Sequence, residues 1–519
     1  MIRKFLGIKI NTIAAAALVV SVSSLVSRLL GILRDRLLAG QFGAGDSLDV
    51  YYAAFRLPDF IFNLIVLGAL SAGFIPVFSK LLLSEKDKQS ESWLLVNNVM
   101  NLVGLALLII SMLAIAFASP LAKIISPGFD LEKQAAVATL TRIMFISPLL
   151  LGLSSVVSGV LQSYKSFIAY SFSPLMYNLG IIFGILYLVP IFGITGLAWG
   201  VVIGACLHLL IQLPPLYYLG FKYQFYLNLK NAHLIQILKM MVPRTLSLAV
   251  SQLNLLASTA IASTLITGSL AIFNFANNLQ FFPIGIFAIS FATAAFPTLS
   301  RHANDDEKLS LYFSRVSSQI LFFIIPSAVF LFVIKNNLTH VILGGGLFSE
   351  RDLQITNSVF SIFLISLFAQ ALIPLLVRVF YARENSRTPL YISLFAVLID
   401  ISFSLILSKI YGVFGIAMAF TISSIVNFIC LVVVLKIQLK VLNGYYILTS
   451  AYKALVASIL AGLLMFYVLN FLNNIVNYLI AGTIAAMIGA VLYLFITYLL
   501  KSRECVAIIF NIRSKILKS

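Results

Sequence analysis

Charge is scarce in this chain, and acids are the scarcest: Asp and Glu supply 17 of 519 residues, Lys and Arg 35, and all charged residues together 10%. A soluble globular domain carries about 25% charged residues, so that class is excluded. Cys206, Cys430 and Cys505 are far apart in the chain, which leaves neither a disulfide framework nor a zinc spacing. His208, His233, His302 and His340 are equally scattered, so metal catalysis has no ligand cluster. No G-x-S-x-G, H-E-x-x-H or paired-carboxylate motif is present, and Gly344-Gly-Gly346 lacks the following Lys-Ser/Thr of a phosphate loop. The expectation is a protein that is not an enzyme and holds no metal.

Apolar length is what the chain has instead. Hydrophobic residues make up 61% of it and its mean hydropathy is +1.05, so almost all of it is expected in lipid. Apolar runs of spanning length give about fourteen candidate helices, at 11–39, 48–79, 93–118, 135–162, 167–190, 194–219, 236–267, 270–300, 309–335, 352–381, 389–409, 412–435, 446–472 and 475–500. The basic start, Arg3, Lys4 and Lys9, leads into a span too long for a signal-peptide core and without a cleavage pattern. It reads as a retained first helix.

The net charge of +18 resides between the spans, and nucleic acid is not an expected partner. One set of connections holds the N-terminus, Lys80, Lys86, Lys88, Lys165, Lys222, Lys230, Lys239, Arg301, Lys308, Arg383, Arg387, Lys436, Lys440 and the basic tail. The other set holds little more than Lys123, Lys133, Lys335, Arg351 and Lys409. Positive loops stay inside, so both termini are expected in the cytoplasm.

Two halves repeat. Ile191-Phe-Gly-Ile-Thr-Gly-Leu-Ala198 matches Ile410-Tyr-Gly-Val-Phe-Gly-Ile-Ala417, Pro76-Val-Phe-Ser-Lys80 matches Pro297-Thr-Leu-Ser-Arg301, and Val26-Ser-Arg-Leu29 matches Val250-Ser-Gln-Leu253. The expected organisation is an N-terminal lobe of six helices (1–220), an interfacial connection (221–235), a parallel C-terminal lobe of six (236–440), and two added helices with a basic tail (441–519). The class is an all-α polytopic membrane protein with its lobes around a central cavity.

Charges inside spans are the candidate site. If the first helix enters lipid near Asn11, Arg28 stands about 26 Å along it, with Arg34, Asp35 and Arg36 beyond. Burial there costs at least about 2.5–3.5 kcal/mol, so a counter-ion, water or an anionic ligand is required. Arg28 and Asp35 share a face to within about 20°, which allows them to pair; Gly31 between them allows a bend that turns both Arg28 and Arg34 toward one cavity. Asp49 is a candidate gate to these arginines, and Arg56 and Asp59, three apart, can satisfy each other. The repeat sets Gln252 opposite Arg28, and the eighth span adds Asn274, Asn277, Asn278 and Gln280. These amides serve either a cavity or interhelical hydrogen bonds. Asp400, at mid-span with no local cation, is a candidate for a coupling ion.

The run Ser27-Arg-Leu-Leu-Gly-Ile-Leu-Arg-Asp35, with Phe42-Gly-Ala-Gly45, Asp49, Phe55-Arg-Leu-Pro58 and Phe74-Ile-Pro76, resembles the opening of the MurJ/MviN lipid II flippases of the multidrug/oligosaccharidyl-lipid/polysaccharide exporter superfamily. Pro127-Gly-Phe129, Phe282-Pro283, Phe380-Tyr-Ala-Arg383 and Arg387-Thr-Pro389 extend the likeness along the chain. The resemblance implies alternating access, a cationic cavity in which Arg28 and Arg34 bind a diphosphate with Asn278 and Gln252 facing them, and a prenyl-tail groove at the two added helices. Asp35, Asp49, Arg56 and Asp59 then serve as gate or ion-pair residues. Several family charges are replaced: by Phe62, Asn63 and Leu67 in the second helix, Ser258 in the seventh, and Asn277, Asn278 and Phe281 in the eighth.

The implied function is transfer of lipid II, the lipid-linked peptidoglycan precursor, across the bacterial cytoplasmic membrane. The implied partners are that lipid, membrane lipids and cell-wall synthesis proteins. No cofactor is expected; sodium or the membrane potential is the candidate drive. The alternatives are export of another polyprenyl-diphosphate glycan or an amphipathic drug, a membrane-embedded glycosyltransferase, and an assembly scaffold.

Overall fold

In hydrocarbon every backbone N–H and C=O must be satisfied within its own segment or a closed barrel, and this chain meets that demand with helices. The computed structural model describes residues 13–67, 73–84, 89–439 and 444–507. Arg3, Lys4, Lys9, Lys86, Lys88, Lys440, Arg513, Lys515 and Lys518, and the side chains of Leu67 and Arg244, lie outside the described residues. Those terminal charges carry much of the expected orientation.

Among the described residues, the expected spans overlap helical segments. These are α1 (Ile13–Phe42), α2 (Asp46–Phe62, followed by Asn63–Leu67 and Ile75–Ser84) and α7 (Ala232–Ser263), together with α3 (Glu91–Ala116), α4 (Leu131–Ser163), α5 (Phe167–Phe192), α6 (Thr195–Tyr218), α8 (Ser269–Arg301), α9 (Asp306–Ile342), α10 (Glu350–Ile365 and Leu367–Ala382), α11 (Arg387–Tyr411), α12 (Val413–Gln438), α13 (Gly444–Leu472) and α14 (Tyr478–Leu499). Among the described residues ten helices are long and apolar enough to cross a membrane, and eleven if the two pieces of α10, bent by 47°, form one span.

Contacts divide the chain into two compact units, one ending at Leu270 and the other beginning at Ala271. The sequence repeat and the contacts therefore divide it at different places. The reason is local: α7 is held in the first unit by Arg56 on Thr259 and by the Gly128 amide on Ser263 Oγ.

The repeat is visible in the backbone within each unit. Gly193 and Gly412 both end a helix at φ +57° and +60°, with ψ −143° and −135°, a region that glycine enters at little cost. In the first unit Gly193 N–H donates to the Val189 carbonyl and Gly196 N–H to Gly193; in the second, Gly412 donates to Ser408 and Gly415 to Gly412. A Cβ at Gly196 would strike Leu188 and Val189, and one at Gly415 would strike Leu407 and Ser408. The second and eighth spans likewise each contain a π turn, at Asn63–Leu67 and Ile284–Ala288.

The first unit packs through a glycine seam and an amide clamp. Gly180 and Gly184 of α5 meet Gly204 and Gly200 of α6 so closely that any Cβ there would collide with the opposing backbone. Small residues four apart allow this approach in lipid. At the start of α3, Asn97, Asn98 and Asn101 grip the extended segment after α6. Their amides donate to the carbonyls of Lys222, Asn228, Gln224 and Tyr226 at 2.9–3.1 Å, and Asn97 and Asn98 accept from the Gln224 and Asn228 amides. In the second unit, the added helices pack on α9, where Tyr493 OH donates to the Phe322 carbonyl at 2.6 Å.

Gly200→Val forces a branched side chain into the seam. It is expected to destabilise the protein by about 1–3 kcal/mol, seen as a lower thermal midpoint in detergent, whereas the same change at Gly444, whose Cβ position is open, leaves the midpoint in place.

Candidate functional site

Arg34 is the centre of the polar contacts on α1. Its Nε and Nη2 donate to Asp35 Oδ1 at 3.0 and 2.8 Å, and its Nη1 donates to Asn178 Oδ1 on α5 at 3.2 Å. Asn178 Nδ2 donates to the carbonyl and hydroxyl of Ser27 and to the Pro174 carbonyl. Ser27 and Arg34 are seven apart and share a face of α1, so one amide binds two turns of that helix. Asp35, only 8% exposed, is thereby bonded to Arg34. Arg28 is half-buried and Arg36 exposed on the same helix.

Arg34 also faces a cavity of about 310 Å³ with Asp59, Tyr177 and His208, walled by Phe55 and Pro58. His208 Nδ1 lies 2.7 Å from Ser154 Oγ. Arg28 is not in this lining. Arg56, three residues before Asp59, donates from Nε to Thr259 Oγ1 on α7 at 3.0 Å, and Thr259 in turn donates to the Leu255 carbonyl.

Asp49 binds the turn that follows α7. It is 3% exposed, and its Oδ2 accepts the Gly268 amide at 2.7 Å. Beside it Asp46 accepts from Thr267 Oγ1 at 2.8 Å and pairs with Lys133 Nζ at 2.7 Å. Together they fasten the start of α2 and α4 to the turn between α7 and α8.

In the second unit Asn278 is exposed on α8, whereas its neighbours Asn277 and Gln280 are committed to packing. Gln280 donates to Asn277 and accepts from Gln370 of α10, which also donates to Ser366. Asp400, 1% exposed on α11, accepts from Ser404 at 3.4 Å. Gln252 is half-buried on α7 in the first unit. No group of three His, Cys, Asp or Glu able to hold a metal occurs among the described residues. An apolar cavity of about 620 Å³ opens among α9, α10, α12 and α13, lined by Leu321, Ile325, Phe368, Phe428, Leu448 and Leu455.

Arg34, Asp59 and His208 come together at one cavity; Asn278 and Asp400 belong to the other unit. Asn178, Thr259, Tyr177 and His208 are participants that the sequence did not mark. For Asn178 the available signal was an amide four residues after a proline inside an apolar helix. Asn178→Leu removes the partner of Arg34 and Ser27 while keeping the volume, and is expected to lower stability by about 1–3 kcal/mol, measured by thermal unfolding in detergent.

The chain resembles known proteins along most of its length. The family described as lipid II flippase MurJ matches residues 38–488. The probable lipid II flippase MurJ of Buchnera aphidicola subsp. Acyrthosiphon pisum is 31% identical over 421 residues, covering 79% of this chain and 81% of that relative. The lipid II flippase MurJ of Burkholderia cenocepacia is 29% identical over 422 residues, covering 79% and 81%. Among solved structures, a lipid II flippase MurJ in an inward closed conformation superposes with a TM-score of 0.77 at 24% identity, covering 93% of this chain and 98% of that one. The helical fold is shared with that structure, and the chain belongs to the lipid II flippase MurJ family.

Proposed function

We propose that this protein moves lipid II from the inner to the outer leaflet of the bacterial cytoplasmic membrane by alternating access, with both termini in the cytoplasm. The observation that carries the reading is the fixed Arg34 guanidinium inside the first span of a chain of this family. A planar guanidinium held by two neighbours presents its remaining donors in a set direction, which suits the oxygens of a diphosphate. Arg28, seven residues from Asp35 and not in the cavity lining, supplies the second cation. Gln252 and Asn278 are the proposed amide contacts to the head group, and Asp49, Arg56 and Asp59 hold helices in register as the site opens and closes. The apolar cavity beside α13 gives the prenyl tail a place that matches its chemistry.

Asp400 is the proposed coupling-ion residue, and the membrane potential is the other candidate drive, worth about 2.3 kcal/mol per elementary charge per 100 mV. Membrane lipids and cell-wall synthesis proteins complete the proposed partners. The exposed Asn278 and Phe281, where family charges are replaced, favour a second reading in which another polyprenyl-diphosphate glycan is carried. Binding of purified lipid II measured against other lipid diphosphates separates the two.

Arg28→Ala is expected to abolish complementation of a flippase-depleted cell at unchanged protein level. Loss of a charge-assisted contact of about 1.5–3 kcal/mol corresponds to lipid II binding weakened about 10- to 150-fold. Normal growth of that variant overturns the assignment. A leaflet-specific lipid II translocation assay, with and without sodium and membrane potential, identifies the drive: Asp400→Asn removes the sodium-dependent part if the ion binds there.

A further inference from the structure

A second polar pocket lies far from the α1 cluster in sequence, where the segment after α14 folds back onto the start of α13. Lys501 adopts φ +50°, an uncommon conformation for a residue with a side chain, and the chain reverses there. The reversal sets the Arg503 guanidinium 5.0 Å over the Tyr446 ring, and Lys453 Nζ donates to the Lys501 carbonyl at 3.3 Å. The resulting cavity, about 220 Å³, is lined by Tyr445, Tyr446, Ser450, Lys453, Arg503 and Glu504. Glu504 is 8% exposed and accepts Ser502 Oγ at 2.7 Å, so the lining carries one net positive charge. Ser450, also 8% exposed, lines the pocket with a buried hydroxyl that has no hydrogen-bond partner. A buried hydroxyl of this kind calls for an acceptor or donor supplied from outside.

The same turns of α13 also line the apolar cavity, by positions 447, 448, 451, 452 and 455, whereas the polar pocket uses 445, 446, 449, 450 and 453. At about 100° per residue the two sets centre on opposite faces of the helix. One lipid cannot fill both without wrapping round α13. The polar pocket is therefore separate from the proposed tail groove and calls for its own ligand.

We infer that this pocket binds the phosphate of an anionic phospholipid headgroup at the membrane boundary. Two cations of different geometry, a tyrosine-backed guanidinium and an ammonium, converge with an unpartnered hydroxyl. Basic pockets at the ends of membrane helices take such headgroups, and the sequence adds Arg513, Lys515 and Lys518 just beyond. A soluble phosphate offers the same chemistry, so the test includes it.

The full-length protein in detergent is exposed to dioleoylphosphatidylglycerol, dioleoylphosphatidylcholine or inorganic phosphate, and retained molecules are counted by native mass spectrometry. Phosphatidylglycerol is expected to be retained about tenfold above phosphatidylcholine, and Lys453→Gln with Arg503→Gln to reduce it to the phosphatidylcholine level. Lys436→Gln with Lys440→Gln, an equal loss of charge, leaves retention unchanged. Ser450→Ala, which alters one hydroxyl and no charge, lowers it about two- to fivefold and tests the site independently of the folding of the double variant. Equal retention in the Lys453 and Arg503 double variant and in Ser450→Ala overturns the proposal, as does displacement of phosphatidylglycerol by equimolar inorganic phosphate. The readout is lipid retention, so its failure is distinct from any failure of translocation.

Discussion

A guanidinium inside an apolar slab has to be neutralised and hydrogen-bonded at the same time, and Arg34 meets both demands through Asp35 and Asn178. Insertion of such a charge costs at least about 2.5–3.5 kcal/mol, while hydrogen bonds to a charged group return about 1.5–3 kcal/mol each. Two or three of them therefore decide whether α1 is stable in the membrane. The amide that completes the set lies on α5, whose position is defined from its other side. Asn178 and Gly180 are two residues apart, about 200° around the helix, so α5 offers its amide to α1 and its glycines to α6. The close seam and the buried charge are two faces of one helix.

The acids of the first unit follow the same logic. Asp49 and Asp46 sit where backbone amides, a threonine and a lysine can satisfy them, and they hold α2 to the turn that follows α7. Arg56 reaches α7 from the next turns of α2. Charge in this unit is spent largely on fastening helices.

The spans, the charged helix and the family were legible in the sequence because length, apolarity and a run such as Ser27 to Asp35 are local signals. The bond of Arg34 to Asp35 was not legible: adjacent residues point apart on a helix, and only the flexible arginine stem lets the guanidinium curl back. Asn178 was hidden because its partners lie 144 and 151 residues away. The amides of α8 looked like one group, yet Gln280 is drawn into packing by Gln370, 90 residues on, while Asn278 remains exposed. Long-range pairing separates residues that spacing cannot.

The three asparagines of α3 have a consequence for the order in which this protein assembles. Their partner segment is made some 125 residues later. At a synthesis rate of about 5–20 residues per second, α3 exists for roughly 6–25 s before its amides can close on that segment. During that interval α3 needs substitutes, water at the boundary or the insertion machinery, and its end of the bundle cannot reach its final packing. The connection after α6 acts as a late-arriving ligand whose synthesis completes the first half of the molecule.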